Sequence, residues 1–192
     1  MVKKICCLCM CCVIILVMSI FYTKSVTDDL YNNIVRLHII ANSDSDYDQQ
    51  IKYKIRNELI KNSEYLKKEK FSSDAVKEIA TGVLKDNCIS YEANCVYGDF
   101  YFPLKKYENI ALPSGVYKGI KVILGNGEGR NWWCVISPPM CFSEKAVGLA
   151  DTDTLNKKLS DETMEVISDK NGINYKFKIV EVISEMKNKS MK

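Results

Sequence analysis

The chain has a single histidine, His38, so any mechanism that needs an imidazole base must use it. The acidic group closest beyond it along the chain is Asp44. The two would do general acid–base work if His38 stood in an open cleft with a carboxylate in hydrogen-bond reach. Such a pair would suit an exported hydrolase acting on cell wall or peptide. A buried His38 would instead be structural, and an exposed one a pH-sensitive contact for a partner. No G-x-S-x-G, H-E-x-x-H or D-T-G pattern occurs, so no motif supports catalysis.

Three further groupings invite chemistry. Asp44, Asp46 and Asp48 have the alternate spacing of a calcium loop, but Gln49 stands where glycine is required and Ile55 where the bidentate glutamate is required. Capping of a following helix, with acidic charge in its first turn, explains them better. Gly125-Asn126-Gly127-Glu128-Gly129 resembles a phosphate loop but lacks the Lys-Ser/Thr pair, and a strand follows it instead of a helix. Asn-Gly between two strands predicts a hairpin. Zinc is excluded by one histidine and by the absence of a CxxC pair beyond residue 25. No cofactor or metal is expected.

Both tryptophans lie in Asn131-Trp132-Trp133-Cys134-Val135-Ile136-Ser137-Pro138-Pro139-Met140-Cys141-Phe142. Neighbours on a strand face opposite sides, so one tryptophan should enter the core and the other point away. Pro138 and Pro139 end the strand and fix its backbone. The segment reads either as a rigid core corner or as a preorganised aromatic binding surface. Cys88, Cys95, Cys134 and Cys141 are an even set in an exported domain and allow three pairings. Sequence proximity favours 134–141 and, more weakly, 88–95.

The elements that position these residues follow from periodicity. Ile34–Ala41 is a β-branched strand with Val35, Leu37 and Ile39 on one face and Arg36 and His38 on the other. Residues 46–68 and a second stretch starting after Ser72 or Ser73 and stopping at Asn87 are amphipathic helices. Residues 26–33 read as a linker. Residues 89–102, Val116–Leu124 and Asn131–Ile136 are extended, 153–168 is weakly helical with a cap at Ser160, and 173–179 alternates as a final half-buried strand. The fold class is α+β: a mixed, largely antiparallel sheet with two or three helices packed on one face.

At 192 residues, 47% hydrophobic and 27% charged, the chain has one globular core. Lys3, Lys4 and Lys24 account for the whole +3 excess, so the rest is neutral and lacks the basic footprint of a nucleic-acid binder. Lys3 and Lys4 precede an uncharged run from Ile5 to Tyr22 that contains Cys6, Cys7, Cys9, Cys11 and Cys12. The run exceeds a signal h-region of roughly 7–15 residues and lies at the low end for a membrane span. Residues 1–25 are a signal peptide or a membrane anchor, the weak pair Thr23 and Ser25 offering a cut before Val26. Charge at the extreme N-terminus keeps that end inside and sends the rest outward. The domain is then 26–184, followed by a basic frayed tail, 185–192.

Three stretches together resemble the stage II sporulation protein R family of endospore-forming bacteria. They are Arg36-Leu37-His38-Ile39-Ile40-Ala41-Asn42-Ser43-Asp44-Ser45 with Asp48-Gln49, Leu112-Pro113-Ser114-Gly115-Val116-Tyr117, and the run from Gly127 to Phe142. Ser137 departs from the pattern, which has a large apolar residue there. The resemblance implies a non-catalytic signal, exported across the forespore membrane into the intermembrane space. Its implied partner is a membrane-embedded sporulation aspartic protease, which processes the precursor of a mother-cell sigma factor. No nucleic acid or small-molecule substrate is implied. On this reading the partner surface is His38, Asn42, Ser43 and Asp44 with Trp132, Trp133, Pro138 and Pro139. A purely structural envelope protein, with a large apolar face for self-association, is a third reading.

Overall fold

A computed structural model describes residues 2–107, 110–138, 140, 152–168, 178–183 and 186. Its elements are α1 (Val2–Asn33), β1 (Val35–Ile40), α2 (Asp46–Lys61), α3 (Ser63–Lys68), α4 (Ser73–Asp86), β2 (Ala93–Phe102), β3 (Lys105–Lys106), β4 (Ala111–Leu112), β5 (Gly115–Leu124), β6 (Asn131–Ser137), α5 (Thr152–Asn156) and α6 (Asp161–Ile167). The main sheet has the order β2-β5-β1-β6, with β1 parallel to β5 and the two outer pairs antiparallel. The α+β class and the mixed, largely antiparallel sheet are as the sequence predicts. β3 and β4 form a separate small ribbon.

One face of the sheet is built as the alternation predicts. Leu37 and Ile39 of β1, with Ile120 and Val122 of β5, meet Ile51, Ile55 and Leu59 of α2 and Val76 and Ala80 of α4. All nine are fully buried, and each contributes roughly 1.5–3 kcal/mol of burial, alanine less. Ser45 and Ser72 cap α2 and α4, accepting from the Asp48 and Ala75 amides, and Asn87 ends α4. The expected helix over 46–68 is two helices, because Asn62 takes the α2 C-cap and turns its amide back to Glu58 O.

The opposite face is also covered, and there the structure departs from the sequence reading. Residues 26–33 are the last turns of α1, not a linker. Val26 and Leu30 of α1 pack with Ile34, Phe102, Tyr117 and Val135 of the sheet side and Val166 and Ile167 of α6. Alternation on β1 showed Arg36 and His38 on this face, and both are buried under it. Asp29 of α1 accepts from the amide and hydroxyl of Ser160, tying α1 to the start of α6 (2.9 and 3.0 Å).

The connection from β5 to β6 is not a hairpin. β1 lies between the two strands, so residues 125–130 step across its end. Gly127 N still closes a local turn onto Leu124 O, but Glu128 N and Gly129 N donate to Asn42 O and Ala41 O. The Asn-Gly signal is local, whereas strand neighbours are chosen by the whole sheet. The expected strand 173–179 falls mostly outside the described residues, and 178–183 are helical.

Candidate functional site

The polar turn after β1 and the glycine-rich connection form one clasp around Asp48. Ser43 Oγ and Asn42 Nδ2 donate to Asp48 Oδ2 (2.6 and 2.9 Å), and Tyr91 Oη donates to Oδ1 (2.7 Å). Burial alone would raise the Asp48 carboxyl, but bonds from Ser43, Asn42, Tyr91 and Ser45 outweigh it and hold the pKa below the usual range. Burial, with the same bond, pushes the Tyr91 phenol up. Asn42 Oδ1 accepts from Asn126 N (3.0 Å), and Gln49 Nε2 donates to Ser43 O (2.8 Å).

Lys52, 1% exposed, extends the clasp toward β6. Its ammonium donates to Gln49 Oε1 and to Arg130 O (3.0 Å). Burial lowers its pKa, and Arg130 acts in the same direction. Asp44 lies on the rim: its Oδ1 accepts from Arg130 N (2.8 Å), with the guanidinium at 3.5 Å, and both side chains are 66% exposed. Helix capping therefore explains only part of Asp44, Asp46 and Asp48. Among the described residues no acidic, histidine or cysteine cluster is able to hold a metal.

His38 is 8% exposed and stacked on Trp133, with ring centroids 3.5 Å apart and planes at 14°. Its Nε2–H donates to Asn131 Oδ1 (2.7 Å). Burial lowers its pKa; the Asn131 bond opposes this and Lys121 adds to it. The imidazole therefore faces an amide, while Asp44 is engaged by Arg130. His38 and Asp44 are not an acid–base pair, and the hydrolase reading built on them is withdrawn.

The tryptophans do face opposite sides, yet both are half-buried because both faces are covered. Trp132 packs edge-on against Tyr53 (5.3 Å) with the Arg56 guanidinium over its ring (4.7 Å). Trp133 lies between His38 and the edge of Phe102 (5.4 Å). Beside them Arg36 is fully buried, with no carboxylate among its contacts to the described residues. It donates to Pro103 O (3.1 Å) and lies over the rings of Phe102 and Tyr117. Pro138 is buried, and Pro139 and Cys141 lie outside the described residues. Ser137, the departure noted above, is buried with its hydroxyl accepting from Lys158 (3.4 Å).

Cys134 is disulfide-bonded. Cys88 and Cys95 are free thiols, against the weaker of the two predicted pairings. Cys88 sits exposed on the turn after α4 with φ 53°, while Cys95 points from β2 into the helix-covered core. Burial pushes the Cys95 thiol up to about 12.

The structure thus joins Asn42, Ser43 and Asp44 to each other and His38 to Trp133, but places His38 outside the clasp. Asp48, Gln49, Lys52, Tyr91 and Gly129 hold the clasp together. Asp48 and Gln49 belong to the quoted motif. Nothing local marks Tyr91, whose role depends on the segment before β2 folding back onto the start of α2.

The Stage II sporulation protein R (spore_II_R) family profile matches residues 31–147. Stage II sporulation protein R of Bacillus subtilis (strain 168) is 32% identical over 180 residues, spanning 79% of this chain and 80% of its own length. No solved structure matches the chain.

Proposed function

The chain belongs to the stage II sporulation protein R family, and from that premise we propose that it is an exported intercellular signal of sporulation. It activates a membrane-embedded aspartic protease, which then processes the precursor of a mother-cell sigma factor. The observation that carries this reading is the family match over residues 31–147, a stretch containing the whole clasp and all of β6. Two features support it. An apolar helix of the kind that serves as a signal or anchor precedes a domain of zero net charge, and the only imidazole is buried against an amide.

The receptor surface is the exposed rim of the clasp, Asp44 with Arg130. Asn42, Ser43 and Asp48 hold that rim in place, and His38, Trp132 and Trp133 back it through β6, whereas Pro138 follows the far end of that strand, beside Val35, and is no part of it. Alanine at both Asp44 and Arg130 should abolish signalling while leaving the fold intact. Unchanged signalling would remove this surface from the proposal.

The function is tested by placing the chain in a non-sporulating bacterium with the protease and its sigma-factor precursor, and following cleavage by immunoblot. Full-length protein should give cleavage, and a chain lacking residues 1–25 none. Stable, exported protein without cleavage would overturn the activator role.

A further inference from the structure

The apolar run ends at Tyr22, and burial inside the domain begins at the next residue. Thr23 is 3% exposed, and Val26 and Leu30 are 1% exposed. No linker separates the two regions, because α1 is one helix from Val2 to Asn33. A helix rises 1.5 Å per residue, so Ile5–Tyr22 is about 27 Å long, close to the hydrocarbon thickness of a bilayer. Its most apolar window is not buried against the rest of the protein. A cut before Val26 would fall inside a helix whose Thr23 and Val26 both face the sheet. It would also remove Tyr22 and Thr23 from the second core.

The same helix fixes which end of the domain meets the membrane. Ile20, Thr23 and Lys24 line a cavity of about 580 Å³ together with Tyr101, Pro113, Ser114 and Val116. Farther along, Tyr31 donates to Asp99 (2.8 Å) and lies under Lys118. β1 then runs parallel to β5 from Lys118 toward Ile123, so the clasp lies at the opposite end. The near end exposes Phe21, Tyr101 and Val116. The β3–β4 ribbon that joins Phe102 to Pro113 adds the exposed Lys105 and Lys106, and Lys24 is exposed where it lines the cavity. Aromatic and apolar groups interleaved with lysines are the composition of a membrane-interface band.

We propose that α1 is retained as a membrane stalk, and that the Tyr101–Lys106 and Pro113–Val116 end of the domain rests on the outer leaflet. The Asn42–Asp48 clasp is thereby held at the end away from its own membrane. This inference does not depend on the protease-activating role.

Full-length protein is purified from the membrane fraction of an expressing bacterium, and its intact mass is measured. The mass should include residues 1–25; a mature chain starting at or near Val26 would overturn retention. The same protein is reconstituted into phosphatidylethanolamine–phosphatidylglycerol vesicles carrying a photoreactive diazirine near the headgroup, and lipid adducts are mapped by peptide mass spectrometry. Adducts should fall in residues 101–116 and be absent from residues 122–130. Adducts on 122–130, or none on 101–116, would overturn the orientation. A chain expressed without residues 1–25 is measured alongside, and shows that a processed species would be detected.

Discussion

Gly129 packs directly against the backbone of Ser43, so closely that a Cβ at residue 129 would overlap the Ser43 carbonyl carbon and oxygen and the Ala41 methyl. The connection between β5 and β6 can therefore lie on the end of β1 only if residue 129 has no side chain. Gly125 has a related constraint, with φ 53° and the Asn42 amide where its Cβ would be. The two glycines that look like a phosphate loop are there for contact with the turn after β1.

Gly129→Ala should accordingly lower stability by about 1–3 kcal/mol, the usual cost of forcing atoms into a packed site. Gly82→Ala is the control, since a Cβ there meets nothing, and should be neutral or slightly stabilising at this exposed position of α4. Urea denaturation of the two variants checks this. Equal midpoints would show that the loop relaxes away from Ser43 at no cost.

Asp48→Ala removes the acceptor for Asn42, Ser43 and Tyr91 at once. Each buried donor left without a partner costs roughly 1–3 kcal/mol, reduced where water reaches it. A total loss of about 2–4 kcal/mol is expected, with Tyr91→Phe costing about 1 kcal/mol because it removes a single bond. Thermal unfolding of both variants and their double mutant measures the coupling, which should be clearly non-additive.

The depressed pKa of His38 fixes a pH dependence. The folded imidazole binds a proton less readily than the unfolded one, so His38 favours folding fully above its ordinary pKa, near 6.5. That contribution is lost as pH falls through 6.5 toward the folded value. Asp48 is also depressed, but its contribution is lost only below about pH 3.9. The unfolding temperature should therefore drop between pH 7.5 and 5.5 in the parent chain and change less in His38→Gln. Parallel slopes in the two proteins would show that His38 is not the titrating group.

Among the described residues Cys134 is disulfide-bonded, and sequence proximity favours Cys141 as its partner. Peptide mass mapping under non-reducing conditions should find that pair and leave Cys88 and Cys95 alkylatable. Closing so short a loop stabilises by about 2–3 kcal/mol on the loop-entropy estimate, and Cys134→Ser should lose about that much. Cys88→Ala should lose none of it, and a bridge between Cys88 and Cys95 would contradict the exposed and core positions of the two thiols.

Much of the framework was legible along the chain because it depends on neighbours close in sequence. Ser45, Ser72 and Ser160 cap helices where capping types precede an apolar period. Val35, Leu37 and Ile39 divide from Arg36 and His38 because successive strand residues face opposite ways. The clasp was only half legible. Its motif residues stand out by type, but capping alone does not reveal that Asp48 is also the acceptor that ties Tyr91 to the turn after β1.

What the sequence determined by itself was an N-terminal apolar segment of signal or anchor type, the α+β class, the identity of most strands and helices, and the family motifs. Each of these is carried by local pattern: charge beside an apolar run, a period of two or of 3.6, or a specific string. The tertiary structure alone decided that β1 lies between β5 and β6, that residues 26–33 continue α1 onto the second face, and that His38 is buried against Asn131. It also decided that Cys95 faces the core away from Cys88. These outcomes depend on which surfaces meet after long loops close. A strand's own residues do not specify its neighbours when several partners satisfy the same alternation. Here burying both faces of one sheet selected among them.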